Sequence, residues 1–252
     1  ATIERKSERR GERVMFETIY TIPINEAFDK SAEEGAGCPF CRLYEKFEGD
    51  ELELILGGSM MEPDVRIKTN RQGFCRRHYD KLLQKGNRLG LALILESHLN
   101  EIRKEMKGGA ADLFKSPGAS ATERIRSLEK DCYLCSRIDF SFGKVMENAV
   151  LLWEKEPAFR KKAENQPYFC LSHFEEYLRN AKGNLNKKDY ALFYKQISAP
   201  TFRYFEELCG DVSWFCKKFD YRYEEEPWGN SKDSVERAIA FLSNPAVKSD
   251  KK

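Results

Sequence analysis

Along most of the chain apolar residues recur every three or four positions, the spacing of a helix that buries one face. Leu43, Tyr44, Phe47, Leu52, Leu54, Ile55 and Leu56 show it after Cys41, and Ile138, Phe142, Val145, Met146 and Val150 show it after Cys135. Each Cys-x-x-Cys pair therefore opens a predicted helix. Glu62-Pro63 and Glu156-Pro157 should interrupt these helices, because the fixed φ and missing N–H of proline suit a first turn rather than an interior. Pro157 accordingly begins a short predicted helix with Phe159 and Arg160. Long helices are predicted over 79–106, with Leu82, Leu83, Leu89, Leu91, Ile94, Leu95 and Leu99, and from 174 through Tyr190 to 208. The stretch 14–24, rich in Phe, Thr, Ile and Tyr, has a strand-like composition. Gly108, Gly109, Pro117 and Gly118 mark a linker.

The helical pattern repeats. An offset of 94 carries Cys38 to Cys132, Cys41 to Cys135, Gly49 to Gly143, Glu53 to Glu147, Glu62 to Glu156, Pro63 to Pro157 and Arg66 to Arg160. One inserted residue later, an offset of 95 carries Asn70 to Asn165, Phe74 to Phe169, Cys75 to Cys170, His78 to His173 and Leu83 to Leu178. Chance does not align a Cys-x-x-Cys, a Glu-Pro-x-x-Arg and a Phe-Cys-x-x-His in the same order twice, and an internal duplication is the economical reading.

The shared residues carry candidate chemistry. Two cysteines separated by two residues can place both sulfurs on one ion, and a Cys-x-x-His pair completes a tetrahedron with no position left for water or substrate. Cys38, Cys41, Cys75 and His78, then Cys132, Cys135, Cys170 and His173, are thus expected to hold two structural zinc ions per chain. Pairing within each repeat is the simpler arrangement, and exchange of pairs between repeats is the alternative. An iron–sulfur cluster fits the residue types less well, and a thiol redox role for Cys38-Pro39-Phe40-Cys41 is opposed by the nearby Cys75 and His78.

Composition narrows the rest. The 252 residues are 41% apolar, enough for a full core, and 43 Lys plus Arg against 41 Asp plus Glu leave a formal charge of only +2. Such a chain has no bulk attraction for nucleic acid or anionic membranes. No apolar run approaches the roughly 20 residues needed to span a bilayer, and no signal layout opens the sequence, so a cytoplasmic location is expected. In that reducing setting closely spaced cysteines favour metal over disulfides. The basic opening 5–13 reads as a solvated tail.

Residues outside the ligand sets give weaker signals. Arg66, Arg71, Arg76 and Arg77, with Lys68, Lys81, Phe74 and Tyr79, form the best candidate nucleic-acid contact. Asp220, Arg222, Glu226 and Trp228 lie in a polar, aromatic segment without counterpart in the first repeat. They could line a small-molecule pocket between the halves, although a structural strap is preferred because no nucleophile or acid–base pair is marked. A helix with Ala238, Ile239, Phe241 and Leu242 follows. Cys209 and Cys216 read as buried small apolar residues, and His98 as a partly buried histidine bonded to a neighbour.

The order of Ile22-Pro23, Cys-Pro-x-Cys, Phe-Cys-x-x-His, Cys-x-x-Cys, a second Phe-Cys-x-x-His and a terminal Asp-Tyr-Arg with Pro-x-Gly resembles an uncharacterised family, a domain of unknown function found largely in anaerobic Gram-positive bacteria. The resemblance covers nearly the whole chain. It implies a bacterial cytoplasmic protein and the eight metal ligands, and it implies no activity. The expected fold is mainly α: an N-terminal arm (1–24), a first zinc-bound helical repeat (25–110), a linker (111–119), a second zinc-bound repeat (120–210) and a C-terminal strap and helix (211–252). The expected role is that of a binding or scaffold protein with an unidentified protein or small-molecule partner. An enzyme or ligand carrier using the 220–228 segment, and a nucleic-acid binder, are the alternatives.

Overall fold

The computed structural model describes residues 19–33, 37–107 and 118–243, and among these there is no strand. Helix α1 covers 19–31, so the strand-like composition of 14–24 is overruled from residue 19 onward; 14–18 lie outside the described residues. Packing explains the outcome, since Tyr20, Ile24, Ala27, Phe28 and Ser31 are buried at helical intervals along one face.

Several of the succeeding helices begin near the predicted positions. α2 (Pro39–Leu56) and α7 (Tyr133–Lys155) each start one residue after the first Cys of a Cys-x-x-Cys pair. α3 (Pro63–Gln72) and α8 (Pro157–Glu164) both carry proline in the first turn. α4 (Arg76–Gln84) and α9 (Leu171–Asn184) are N-capped by Cys75 and Cys170, and start three residues before the predicted 79 and 174. The two long helices expected after them are instead broken. Gly86 at φ +80° and Asn87 separate α4 from α5 (Arg88–Met106), and the Asn87 side chain accepts from Gly90 N. Asn186 does the same between α9 and α10 (Lys187–Lys217), accepting from the amides of Lys188 and Asp189. A side-chain oxygen that satisfies orphan amides gives the chain a new helix start within an apolar-periodic run. α6 (Ala119–Lys130) precedes α7, and α10 runs through Gly210 without a break. Single-turn helices at Tyr221–Tyr223 and Gly229–Ser231 lead to α11 (Ser234–Leu242).

The chain forms two compact units, one from Ala1–Glu45 with Gly143–Lys252 and one from Lys46–Phe142. The boundaries fall inside α2 and α7. The first unit is built on aromatic rings: Phe28 meets Phe159 at 4.8 Å and Phe40 at 5.4 Å, Phe40 meets Tyr177 at 4.8 Å, Tyr177 meets Phe193 at 4.7 Å, and Phe193 meets Trp153 at 5.0 Å. Tilted and edge-on pairs of this kind contribute about 0.5–1.5 kcal/mol each beyond area burial. In the second unit α3 packs along α5, and Leu52, Ile55, Leu82, Leu91, Ile94, Leu134 and Ile138 are buried. No helix among the described residues is long and apolar enough to cross a membrane.

Candidate metal centres

The eight predicted ligands come together as two clusters, and the pairs are exchanged between repeats. Cys38 and Cys41 meet Cys170 and His173, while Cys75 and His78 meet Cys132 and Cys135. Pairing within each repeat, the simpler expectation, is therefore overturned. The chemistry is indifferent to the exchange, because either arrangement gives three sulfurs and one imidazole. Each cluster lies within one compact unit.

Local structure aims the donors. The first Cys of each pair stands just outside a helix and the second in its first turn, so both sulfurs converge on the helix N-terminus. The third Cys is an N-cap residue, and the histidine sits three positions later on the same side. Cys132 Sγ also accepts the amide of Cys135 at 3.5 Å, and helix N-termini favour such negative groups.

In the first cluster His173 Nδ1 lies 3.7 Å from Cys38 Sγ, 3.4 Å from Cys41 Sγ and 3.2 Å from Cys170 Sγ, and Cys41 and Cys170 are 3.6 Å apart. In the second, His78 Nδ1 lies 3.3 Å from Cys75 Sγ, 3.2 Å from Cys132 Sγ and 3.4 Å from Cys135 Sγ, and Cys75 and Cys135 are 3.9 Å apart. Bonds of about 2.3 Å to sulfur and about 2.05 Å to nitrogen give tetrahedral edges of about 3.8 Å between sulfurs and about 3.6 Å between sulfur and nitrogen. The observed spacings bracket those edges, so the residues fit a single four-coordinate ion. These sulfur separations are far too long for a disulfide, and all eight cysteines are free thiols.

The two clusters differ in what surrounds them. His173 packs against Phe40, ring centroids 5.9 Å apart, within the aromatic core. His78 instead turns Nε2 toward Glu48 Oε1 at 3.1 Å, and Glu48 also accepts from Arg77 and Lys81. Burial opposes ionisation of Glu48, but hydrogen bonds from His78, Lys81 and Arg77 outweigh it and hold its carboxyl at about 2. Burial likewise opposes a charge on His78, yet Cys132, Cys75 and Glu48 raise its imidazole to about 10. A pocket that holds a proton this firmly has a field that favours a cation. At the corresponding repeat positions Glu48, Arg77 and Lys81 become Phe142, Ser172 and Glu176. Glu48 was not apparent as a site residue in the sequence; the available signal is a carboxylate among Tyr44, Leu52 and Ile55 on the buried stripe of α2.

The other predicted residues are placed differently. Arg66 donates to Leu93 O at 3.1 Å, Arg76 pairs with Asp80 at 3.0 Å, Arg77 is held by Glu48, and Arg71 is exposed, its carbonyl accepting from Arg124. Asp220 and Arg222 form an exposed ion pair with each other at 2.6 Å. Glu226 lends its carbonyl to Lys218 Nζ at 2.7 Å, and the Trp228 ring lies against Phe215 and Phe219. A cleft of about 510 Å³ nearby is lined by Tyr168, Tyr204, Asp233 and Arg237 among others, and by none of those four residues. His98 is buried and bonds Asn70 O through Nδ1 at 2.8 Å, as expected. Cys209 and Cys216 are exposed on α10, contrary to expectation.

A family model described as a family of unknown function matches residues 15–249. No curated protein and no solved structure matches the chain.

Proposed function

Since the chain belongs to DUF6062, a family of unknown function, we propose from its own geometry that it is a zinc-stapled helical scaffold, a protein that binds partners and performs no chemistry at its metal sites. One observation carries the reading: in both clusters three sulfurs and one Nδ1 lie at tetrahedral edge distances around a single point. Three soft thiolates and an imidazole suit zinc, and a closed set offers no position for substrate. Ligands of an iron–sulfur cluster sit on different irons and would stand further apart. The pairs formed by Arg76, Arg77, Asp220 and Arg222 within the protein support a scaffold over a nucleic-acid binder or a ligand carrier at 220–228.

Structural zinc contributes about 10–16 kcal/mol in small peptides, comparable to the roughly 5–15 kcal/mol stability of a whole domain. Elemental analysis of protein purified without oxygen should find two zinc ions per chain. Iron with labile sulfide, or the absence of bound metal, would refute the proposal.

A further inference from the structure

His98, on α5, is the one histidine outside the metal clusters and is 5% exposed. Its Nδ1 lies 2.8 Å from Asn70 O, and a carbonyl only accepts, so the neutral ring carries its proton on Nδ1 and leaves Nε2 bare. Nε2 faces Gly73 so closely that a Cβ there would lie 2.8 Å away, and it has no hydrogen-bond partner among the described residues. The same Asn70 carbonyl accepts from Arg124 at 2.9 Å, and a second nitrogen of Arg124 donates to Arg71 O at 2.6 Å. One side chain from α5 and one from α6 thus close the carbonyl end of α3, where a helix leaves acceptors unmet. Arg124 faces the ring from α6 and pairs with Glu105 of α5, while Asn70 and Gly73, at the end of α3, bring no charge.

That end of α3 leads directly into the second cluster. Gly73 stands two residues before Cys75, and its carbonyl accepts the amide of Tyr133 at 3.0 Å, in the stretch between Cys132 and Cys135. We propose that His98 is an acid-sensitive latch on this cluster: neutral, it holds the end of α3 in place, and on taking up a proton it sets a second positive charge beside Arg124 on one carbonyl, which loosens the Gly73–Cys75 segment and releases the ion. Burial is the main force that keeps the imidazole below its usual range; the Asn70 carbonyl opposes it, Arg124 adds to it and Glu105 opposes it. Because the fold favours the neutral ring, the latch is complete above the ordinary imidazole pKa of about 6.5 and fails as pH falls below it. The first cluster has no such group. α10 follows α9 as α5 follows α4, and its buried residues, Phe193, Ile197, Thr201 and Leu208 among them, do not titrate. The release step rests on the metal reading above, whereas the latch on α3 does not.

The full zinc-loaded chain, held with a chelator at about pH 7.5 or about pH 5.5 and returned to neutral pH with N-ethylmaleimide, reveals by peptide mapping which cysteines have lost their ion. The two values bracket the ordinary imidazole pKa. Acid should open Cys75, Cys132 and Cys135 to labelling ahead of Cys38, Cys41 and Cys170. One unit below its ordinary pKa, a ring that the fold keeps neutral weakens the site by up to about tenfold. His98→Asn, whose amide can keep the bond to Asn70 O without titrating, should therefore reduce the acid acceleration of Cys75 labelling by up to about tenfold. The ratio of the two rates within each chain decides the matter: a variant weakened equally at both pH values, with the wild-type ratio, overturns the latch. Arg124→Gln removes the neighbouring charge and should lower the same ratio; it serves if His98→Asn does not fold, and an unchanged ratio there overturns the latch as well. Wild-type protein in which all six cysteines react at the higher pH would refute the metal reading instead. Urea unfolding at the two pH values then tests the latch: an acid loss of stability that His98→Asn reduces supports it, and one that His98→Asn leaves intact overturns it.

Discussion

Glu48 is a buried carboxylate whose three partners all come from α4, namely Arg77, His78 and Lys81. A carboxylate on the far nitrogen of a ligating histidine fixes the ring and makes it a better donor, and loss of such a partner typically weakens metal binding about 10–100-fold. Glu48→Ala should thus release the ion of the Cys75, His78, Cys132 and Cys135 cluster to a competing chelator at a correspondingly lower chelator concentration. The other ion, whose histidine packs against Phe40, should be retained as in the wild type; equal loss of both would contradict this assignment. Gly73 is a second residue with a specific demand. Its φ of +61° and ψ of −156° lie in a region that side chains avoid, and a Cβ there would meet His98 Nε2 at 2.8 Å. Its carbonyl accepts the amide of Tyr133, beside Cys132. Gly73→Ala should cost about 1–3 kcal/mol in urea unfolding of the metal-loaded protein, by the usual cost of such strain.

Lys218, which follows the last residue of α10, is nearly buried and gives its three protons to the carbonyls of Tyr223, Glu224 and Glu226 at 2.5–2.7 Å. The segment after α10 thus folds back around one ammonium, with the Trp228 ring 5.4 Å away, which accounts for an irregular strap that sequence periodicity could not describe. Lys218→Met keeps the length and apolar stem but leaves those carbonyls without a charged donor. Hydrogen bonds to charged groups contribute about 1.5–3 kcal/mol, so hydrogen exchange in 219–231 should accelerate while α9 stays protected. Legibility in the sequence follows the same division. The helices opened by the two Cys-x-x-Cys pairs and the one at Pro157 were readable because each depends on a residue and its immediate neighbours, whereas α4 and α9 start three residues earlier than apolar spacing indicates. The breaks at Asn87 and Asn186 were hidden because apolar spacing continues across them, and only the capping oxygens mark new starts. Residues 19–24 became helix because burial of Tyr20 and Ile24 outweighs a weak strand propensity.

At the scale of the molecule, the eight residues that cluster as possible metal donors were legible and their partnership was not. Both repeats offer the same Cys-x-x-Cys and the same Cys-x-x-His, so spacing and ligand identity are equal for pairing within or between repeats. What breaks the tie is long-range packing, which places Cys38 with His173 across 135 positions and Cys132 with His78 across 54. With an ion in each cluster the exchanged pairs would tie both repeats together, and loss of an ion should then loosen one compact unit rather than one repeat. Paired substitutions separate the possibilities in the intact chain. Cys41→Ser with Cys170→Ser removes two ligands of the same cluster and should leave one zinc per chain, with the Lys46–Phe142 unit still resistant to unfolding. Cys41→Ser with Cys75→Ser removes one ligand from each cluster and should leave neither site able to hold its ion tightly, with a cooperative loss of both units. Pairing within repeats predicts the opposite ranking, because Cys41 and Cys75 would then share a site. Zinc stoichiometry of the two double variants, measured after dialysis against a mild chelator, decides between them.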